Sequence, residues 1–82
     1  MTYDQMVEVR DKVLPGGGNL PSGEPTKDGA NWTVPFKRKG SEWHAFFLDR
    51  AINSEADKRR AVLDLESAIG QALASSDEGP FH

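Results

Sequence analysis

The stretch Asn31-Trp32-Thr33-Val34-Pro35-Phe36-Lys37-Arg38-Lys39-Gly40-Ser41-Glu42-Trp43-His44-Ala45-Phe46-Phe47-Leu48 decides the fold. In its first half Trp32, Val34 and Phe36 alternate with Asn31, Thr33 and Pro35, which is the period of a strand. The second half is ambiguous on its own. A helix over 41–51, capped by Ser41, would gather Trp43, Phe46 and Phe47 on one side. Register decides for the strand. With Lys39-Gly40 as the turn, Arg38 faces Ser41, Lys37 faces Glu42 and Phe36 faces Trp43. Further out, Val34 meets Ala45 and Trp32 meets Phe47, so three apolar pairs share one face. Such cross-strand pairs contribute ~0.2–1 kcal/mol each. The other face takes Lys37 with Glu42, Pro35 beside His44, and Thr33 beside Phe46. A slip of one residue would scramble this sorting. Lys-Gly is a weaker turn signal than Asn-Gly, but a longer loop of the same parity preserves the pairing.

Outward from this hairpin, over residues 31–49, the spacing predicts a second helix at residues 54–75. Val62, Leu65, Ile69, Ala72 and Leu73 recur on one stripe, flanked by Ala61 and Ala68, as an amphipathic helix requires. Asn53 or Ser54 caps it, and Glu55 with Arg59 forms an i,i+4 pair in the favourable order. Gly70 is a flaw costing ~1 kcal/mol relative to Ala, which a close approach of the hairpin's aromatic residues would explain. Upstream, residues 2–14 read as a helix. Thr2 and Gln5 have capping-box spacing. Tyr3, Met6, Val7, Val13 and Leu14 fall near one face, interrupted by Arg10, and Pro15 with Gly16-Gly17-Gly18 ends the helix. Residues 15–30 are expected to be a linker, with Leu20 and Ala30 as the sole apolar side chains besides the prolines. A segment of that composition buries too little to repay its ordering entropy. The tail at 76–82 is polar and expected to fray. The fold class is α+β in one small domain, ordered helix, linker, antiparallel hairpin, helix.

Composition narrows the function classes. Eighty-two residues support one modest core. The chain has no cysteine, which excludes disulfides and thiolate zinc sites. Ten basic against 13 acidic residues give a net charge of −3, whereas a dedicated nucleic-acid binder is usually clearly basic. No apolar run approaches the ~20 residues that span a bilayer, and Met1–Gln5 does not begin a signal peptide. The absence of cysteine and of a signal both point to the cytoplasm, where the match of Asn31-Trp32-Thr33 to a glycosylation sequon is chance.

Motifs with chemistry are sparse. Gly16-Gly17-Gly18-Asn19 lacks the Gly-Lys-Ser/Thr ending of a phosphate loop and follows a helix rather than a strand. The histidines are His44 and His82. His44 lies near Glu42 on one strand, without the oriented base and nucleophile that covalent catalysis requires. Asp57, Asp64 and Glu66 are interleaved with Lys58, Arg59 and Arg60, which is the pattern of a solvated helix face. Neither a catalytic residue, a cofactor nor a metal is therefore expected.

One feature stands out. If the second helix covers Trp32, Val34, Phe36, Trp43 and Phe47, then His44, Phe46 and Leu48 point the other way. Either the first helix covers Phe46 and Leu48, or they form an exposed patch. The strand over 43–48 also lacks the prolines and charges that blunt an edge, and such edges invite pairing with another chain. Self-pairing would give a four-stranded sheet in a dimer. The leading expectation is a non-catalytic protein-binding module, an inhibitor or adaptor that engages a larger protein partner or a second copy through His44, Phe46 and Leu48. By analogy of type, inhibitors carried by phages and other mobile elements, anti-CRISPR proteins among them, share this character. Two alternatives are a nucleic-acid contact through Lys37, Arg38, Lys39, Arg59 and Arg60, and a small structural or virion subunit.

Overall fold

A computed structural model describes residues 1–77. Thr2 opens the first helix, α1 (Tyr3–Val13), with the expected reciprocal cap. Its hydroxyl accepts from the Gln5 amide at 3.1 Å, and the Gln5 side chain accepts from the Thr2 amide at 2.9 Å. The chain then forms β1 (Asn19–Pro21), β2 (Thr26–Asp28), β3 (Asn31–Arg38), β4 (Ser41–Leu48) and α2 (Glu55–Asp77).

The hairpin has the register that the apolar pattern requires. Trp32 pairs with Phe47, Val34 with Ala45, Phe36 with Trp43, and Arg38 with Ser41, so residues 41–48 are strand rather than helix. Lys39 and Gly40 both have positive φ, +52° and +81°, the geometry of a type I′ turn that matches strand twist. The Lys39 conformation is one that a non-glycine residue adopts at a cost.

The expectation of a structureless linker at 15–30 is corrected. This segment supplies β1 and β2, which lie end to end along one side of β3. Backbone geometry orders it, with Pro25 as its buried apolar residue. Gly17 and Gly18, at φ +58° and +84°, reverse the chain, and Gly16 and Asn19 exchange two backbone hydrogen bonds of 3.0 and 2.9 Å. Arg38 then ties the loop down, donating from Nη1 to the Gly17 carbonyl at 2.8 Å and to Asn19 Oδ1 at 3.2 Å. Gly29, also at positive φ, turns β2 into β3 across a two-residue loop.

Consequently β3 is a central strand, not an edge. Pro35 is tolerated there because β1 ends opposite Phe36 and β2 begins opposite Thr33. The Pro35 carbonyl accepts from the Ser22 amide on that side, so the N–H that proline lacks would also face this gap.

Both helices lie on one face. α2 packs across β4, and α1 packs against α2. The shared core holds Met6, Val9 and Leu14 with Trp32, Val34, Phe36, Ala45 and Phe47, and with Ala61, Leu65, Ala68 and Ile69 of α2. On α1, Val9 is buried where the sequence pattern had singled out Tyr3, which is instead exposed. Ser54 caps α2, its hydroxyl accepting from the Asp57 amide at 3.2 Å while Asp57 accepts from the Asn53 amide at 2.9 Å. Among the described residues Glu55 pairs with Lys58 rather than with Arg59. Gly70 sits on the solvent side, where a Cβ would meet nothing within 4 Å, so no close approach explains it. α2 continues to Asp77, and the remainder of the expected tail, 78–82, lies outside the described residues.

One polar node anchors the end of β4. Asp49 Oδ1 accepts from the Met1 amino group at 2.6 Å and from Trp32 Nε1 at 2.9 Å, while its Oδ2 lies 3.2 Å from Lys27 Nζ. The hydrogen bond from the Met1 amino group, reinforced by those of Trp32 and Lys27, holds the Asp49 carboxyl well below the usual carboxylate range against the opposing effect of burial.

Candidate functional site: the open sheet face and its edge

The question left by the sequence was whether α1 covers Phe46 and Leu48. It does not. Phe46 is 64% exposed and Leu48 67%. They alternate with Ala45 and Phe47, which point into the core, so strand periodicity alone sends them to the face opposite both helices. Phe46 stands across from Thr33, Leu48 from Asn31, and His44 from Pro35. His44 is exposed, while Thr33 and Pro35 are half-buried. Leu20, opposite Lys37 on β1, adds a third exposed apolar side chain to this face at 55%. Sequence reasoning missed Leu20 because its segment read as linker. Its position on a strand emerges only once the glycine turn at Gly17 and Gly18 is formed.

Among the described residues β4 has a neighbour on one side only. The Asp49 amide donates to the Ala30 carbonyl at 2.9 Å, so the odd-numbered residues of this run turn their backbone groups toward β3. By the alternation of an antiparallel ladder, Glu42, His44, Phe46 and Leu48 turn theirs outward. The residues with outward side chains thus also carry the unpaired N–H and C=O groups. Between this edge and α2 runs a groove bordered by Phe46, Leu48, Arg50, Asp64, Ser67 and Gln71. Arg50 Nε meets Asp64 Oδ2 at 3.1 Å, and Arg60 Nε lies 3.5 Å from Asp64 Oδ1, bracing α2 against the end of β4.

Comparison with family models, with curated proteins and with solved structures finds no match to this chain.

The basic residues do not converge. Lys37 points to the open face, Lys39 forms the turn, and the Arg38 guanidinium is engaged with Gly17 and Asn19. The hairpin tip lies beside Leu73, whereas Arg59 and Arg60 are in the second turn of α2. At 1.5 Å per residue the two groups are separated by ~20 Å along the helix. Arg60 is, in addition, paired with Asp64. Among the described residues no three acidic or histidine side chains come together as a metal site would need. No helix among them is long and apolar enough to cross a membrane.

Proposed function

We propose that this chain is a non-catalytic protein-binding module, an inhibitor or adaptor that engages a larger protein through the open sheet face at Phe46 and Leu48, with His44 beside them. The supporting observation is the placement of two large apolar side chains, each about two-thirds exposed, on a sheet face that neither helix covers and at an unpaired strand edge. Central apolar anchors beside a polar rim are what protein interfaces use. Glu42, His44 and Lys37 supply such a rim. An open edge adds a second mode of recognition, in which a partner strand extends the sheet by backbone hydrogen bonds. A role in the cytoplasm, as an inhibitor of the kind mobile elements carry, fits a small binding module of this sort.

The test is affinity capture from the native host, with the wild-type chain, Phe46→Asp and Leu48→Asp compared side by side. Both variants keep the wild-type circular dichroism spectrum and lose the partner. Capture of the same partner by well-folded variants defeats the proposal. Unfolding of both variants defeats it as well, because the residues would then be core.

A further inference from the structure

On the helical side of the molecule, away from the open sheet face, lies a groove bordered by Lys12 of α1 and by Glu55, Lys58, Arg59, Val62 and Leu63 of α2, about 320 Å³ in volume. Its walls are hydrocarbon. Val62 is half-buried, Leu63 is 57% exposed, and the methylene stems of the three basic residues complete the lining, as long cations do when they lie along apolar surface. Three cations line this groove against the carboxylate of Glu55, with Glu8 beside it on Lys58, so the local balance is positive in a chain whose overall balance is acidic. Lys58 is matched, bonding Glu8 at 2.8 Å and approaching Glu55 at 3.8 Å. Lys12 and Arg59 have no carboxylate within ion-pair distance among the described residues. An exposed leucine beside two cations that close no ion pair, Lys12 sharing the field of Glu8 with Lys58, leaves an apolar surface next to an excess of positive charge.

We infer that this groove docks a segment of a partner protein in which an apolar side chain is flanked by carboxylates. The apolar side chain would cover Leu63 and Val62, and the carboxylates would reach Lys12 and Arg59. A few hundred Å³ accommodates one or two large side chains. The charge pattern selects against basic segments and speeds encounter with acidic ones. This site is separate from Phe46 and Leu48, which stand on the sheet face away from both helices.

The test uses the full chain, labelled with ¹⁵N, titrated with the blocked peptide Glu-Glu-Leu-Phe-Glu-Glu. Saturable shifts of the Val62, Leu63 and Lys12 amides are expected, weakening several-fold as salt rises from about 50 to about 250 mM, a range over which screening shortens. The matching peptide Lys-Lys-Leu-Phe-Lys-Lys leaves these signals in place. The double variant Lys12→Glu with Arg59→Glu, and separately Leu63→Glu, abolish the shifts while circular dichroism stays unchanged. Three results overturn the inference: no saturable shift at millimolar peptide, equal response to the basic peptide, or shifts at these amides with decanoate but not with the acidic peptide. Concentration-dependent shifts of the same amides without any peptide also overturn it, by assigning the groove to a second copy. Shifts confined to Phe46 and Leu48 refute this groove and leave the sheet-face proposal standing.

Discussion

One step along β4 separates a residue that holds the fold from one that does not, and the difference is measurable. Phe47 is 8% exposed and pairs with Trp32 in the core. Truncation of such a residue, Phe47→Ala, costs about 3–5 kcal/mol through lost burial and the cavity left behind. An 82-residue domain has only about 4–12 kcal/mol of total stability. At about 4–8 °C per kcal/mol for domains of this size, the melting temperature falls by at least about 12 °C. Phe46 keeps only about a third of its surface from water. For a side chain of roughly 200 Å² that is about 70 Å², or at most about 2 kcal/mol at 25 cal/mol per Å². Threonine at this position retains part of that contact and suits a strand, so Phe46→Thr costs about 1 kcal/mol or less. Thermal unfolding followed by circular dichroism, with urea titration alongside, compares the two variants directly. A loss for Phe46→Thr equal to that for Phe47→Ala would refute the face assignment and with it the case for an open patch.

Three further outcomes follow from single positions. Gly70→Ala raises stability by about 0.5–1 kcal/mol, seen as a higher urea midpoint, because the added Cβ meets nothing within 4 Å and the unfolded chain loses freedom. Lys39→Asn raises it by about 0.5–1 kcal/mol in the same assay, because asparagine tolerates the positive φ that lysine holds at the turn. Asp49 makes stability depend on pH. Its carboxyl titrates lower in the folded than in the unfolded chain, so between those two values the unfolded state binds more protons and stability rises with pH. Its contribution is fully present above the unfolded value of about 3.9 and is lost as pH falls toward the folded one. Urea midpoints taken across acid pH should therefore fall less steeply for Asp49→Asn than for the wild-type chain.

The parts of the fold legible in the sequence were those whose signal is apolar periodicity. The stripe from Ala61 to Leu73 specified α2, and the pairing of Trp32, Val34 and Phe36 with Phe47, Ala45 and Trp43 specified the hairpin residue by residue. Residues 15–30 were not legible in this way, because their order comes largely from turn geometry and polar ties, and what they bury is Asn19 and Pro25 rather than a periodic apolar set. β2 is exposed along its whole length, and β1 buries only Asn19, so neither strand leaves a hydrophobic trace. The signals that do exist there are local. Gly17-Gly18 supplies two positive φ values, and Asp28-Gly29 leads directly into the strand at Asn31. Arg38 carried the complementary information but read as part of a basic tip, since nothing in its neighbours announces a bond to a loop about twenty residues away. At the site, alternation sufficed to turn Phe46 and Leu48 outward. What periodicity could not say was whether α1 covered them, since that depends on where α1 docks.

The docking of α1 follows from the position of α2, and this has a consequence for the edges. α2 lies across β4 and presents Ala61, Leu65 and Ala68 beneath the sheet. Met6 and Val9 of α1 join the same cluster, so the helical layer is complete on one side and the other side receives none. β1 and β2 then occupy the free side of β3, each only three residues long. They cap that flank with short strands, and Pro21 at the end of β1 presents no N–H to a neighbour. Short edge strands and proline are among the devices by which proteins resist edge-to-edge pairing. β4 has none of them: it is eight residues long, holds no proline, and carries Glu42 as its one acidic residue. The molecule is thus asymmetric in its protection, blunted at the β1 and β2 flank and open along β4, where Phe46 and Leu48 also stand exposed. Replacing Phe46 by proline separates the two contributions. Its backbone N–H faces the edge rather than β3, so the substitution removes an outward donor while sparing the β3 ladder. If partner binding depends on strand addition, Phe46→Pro abolishes capture whereas Phe46→Leu, which keeps both the donor and an apolar side chain, retains it. Equal loss in the two variants assigns the contact to the aromatic ring alone.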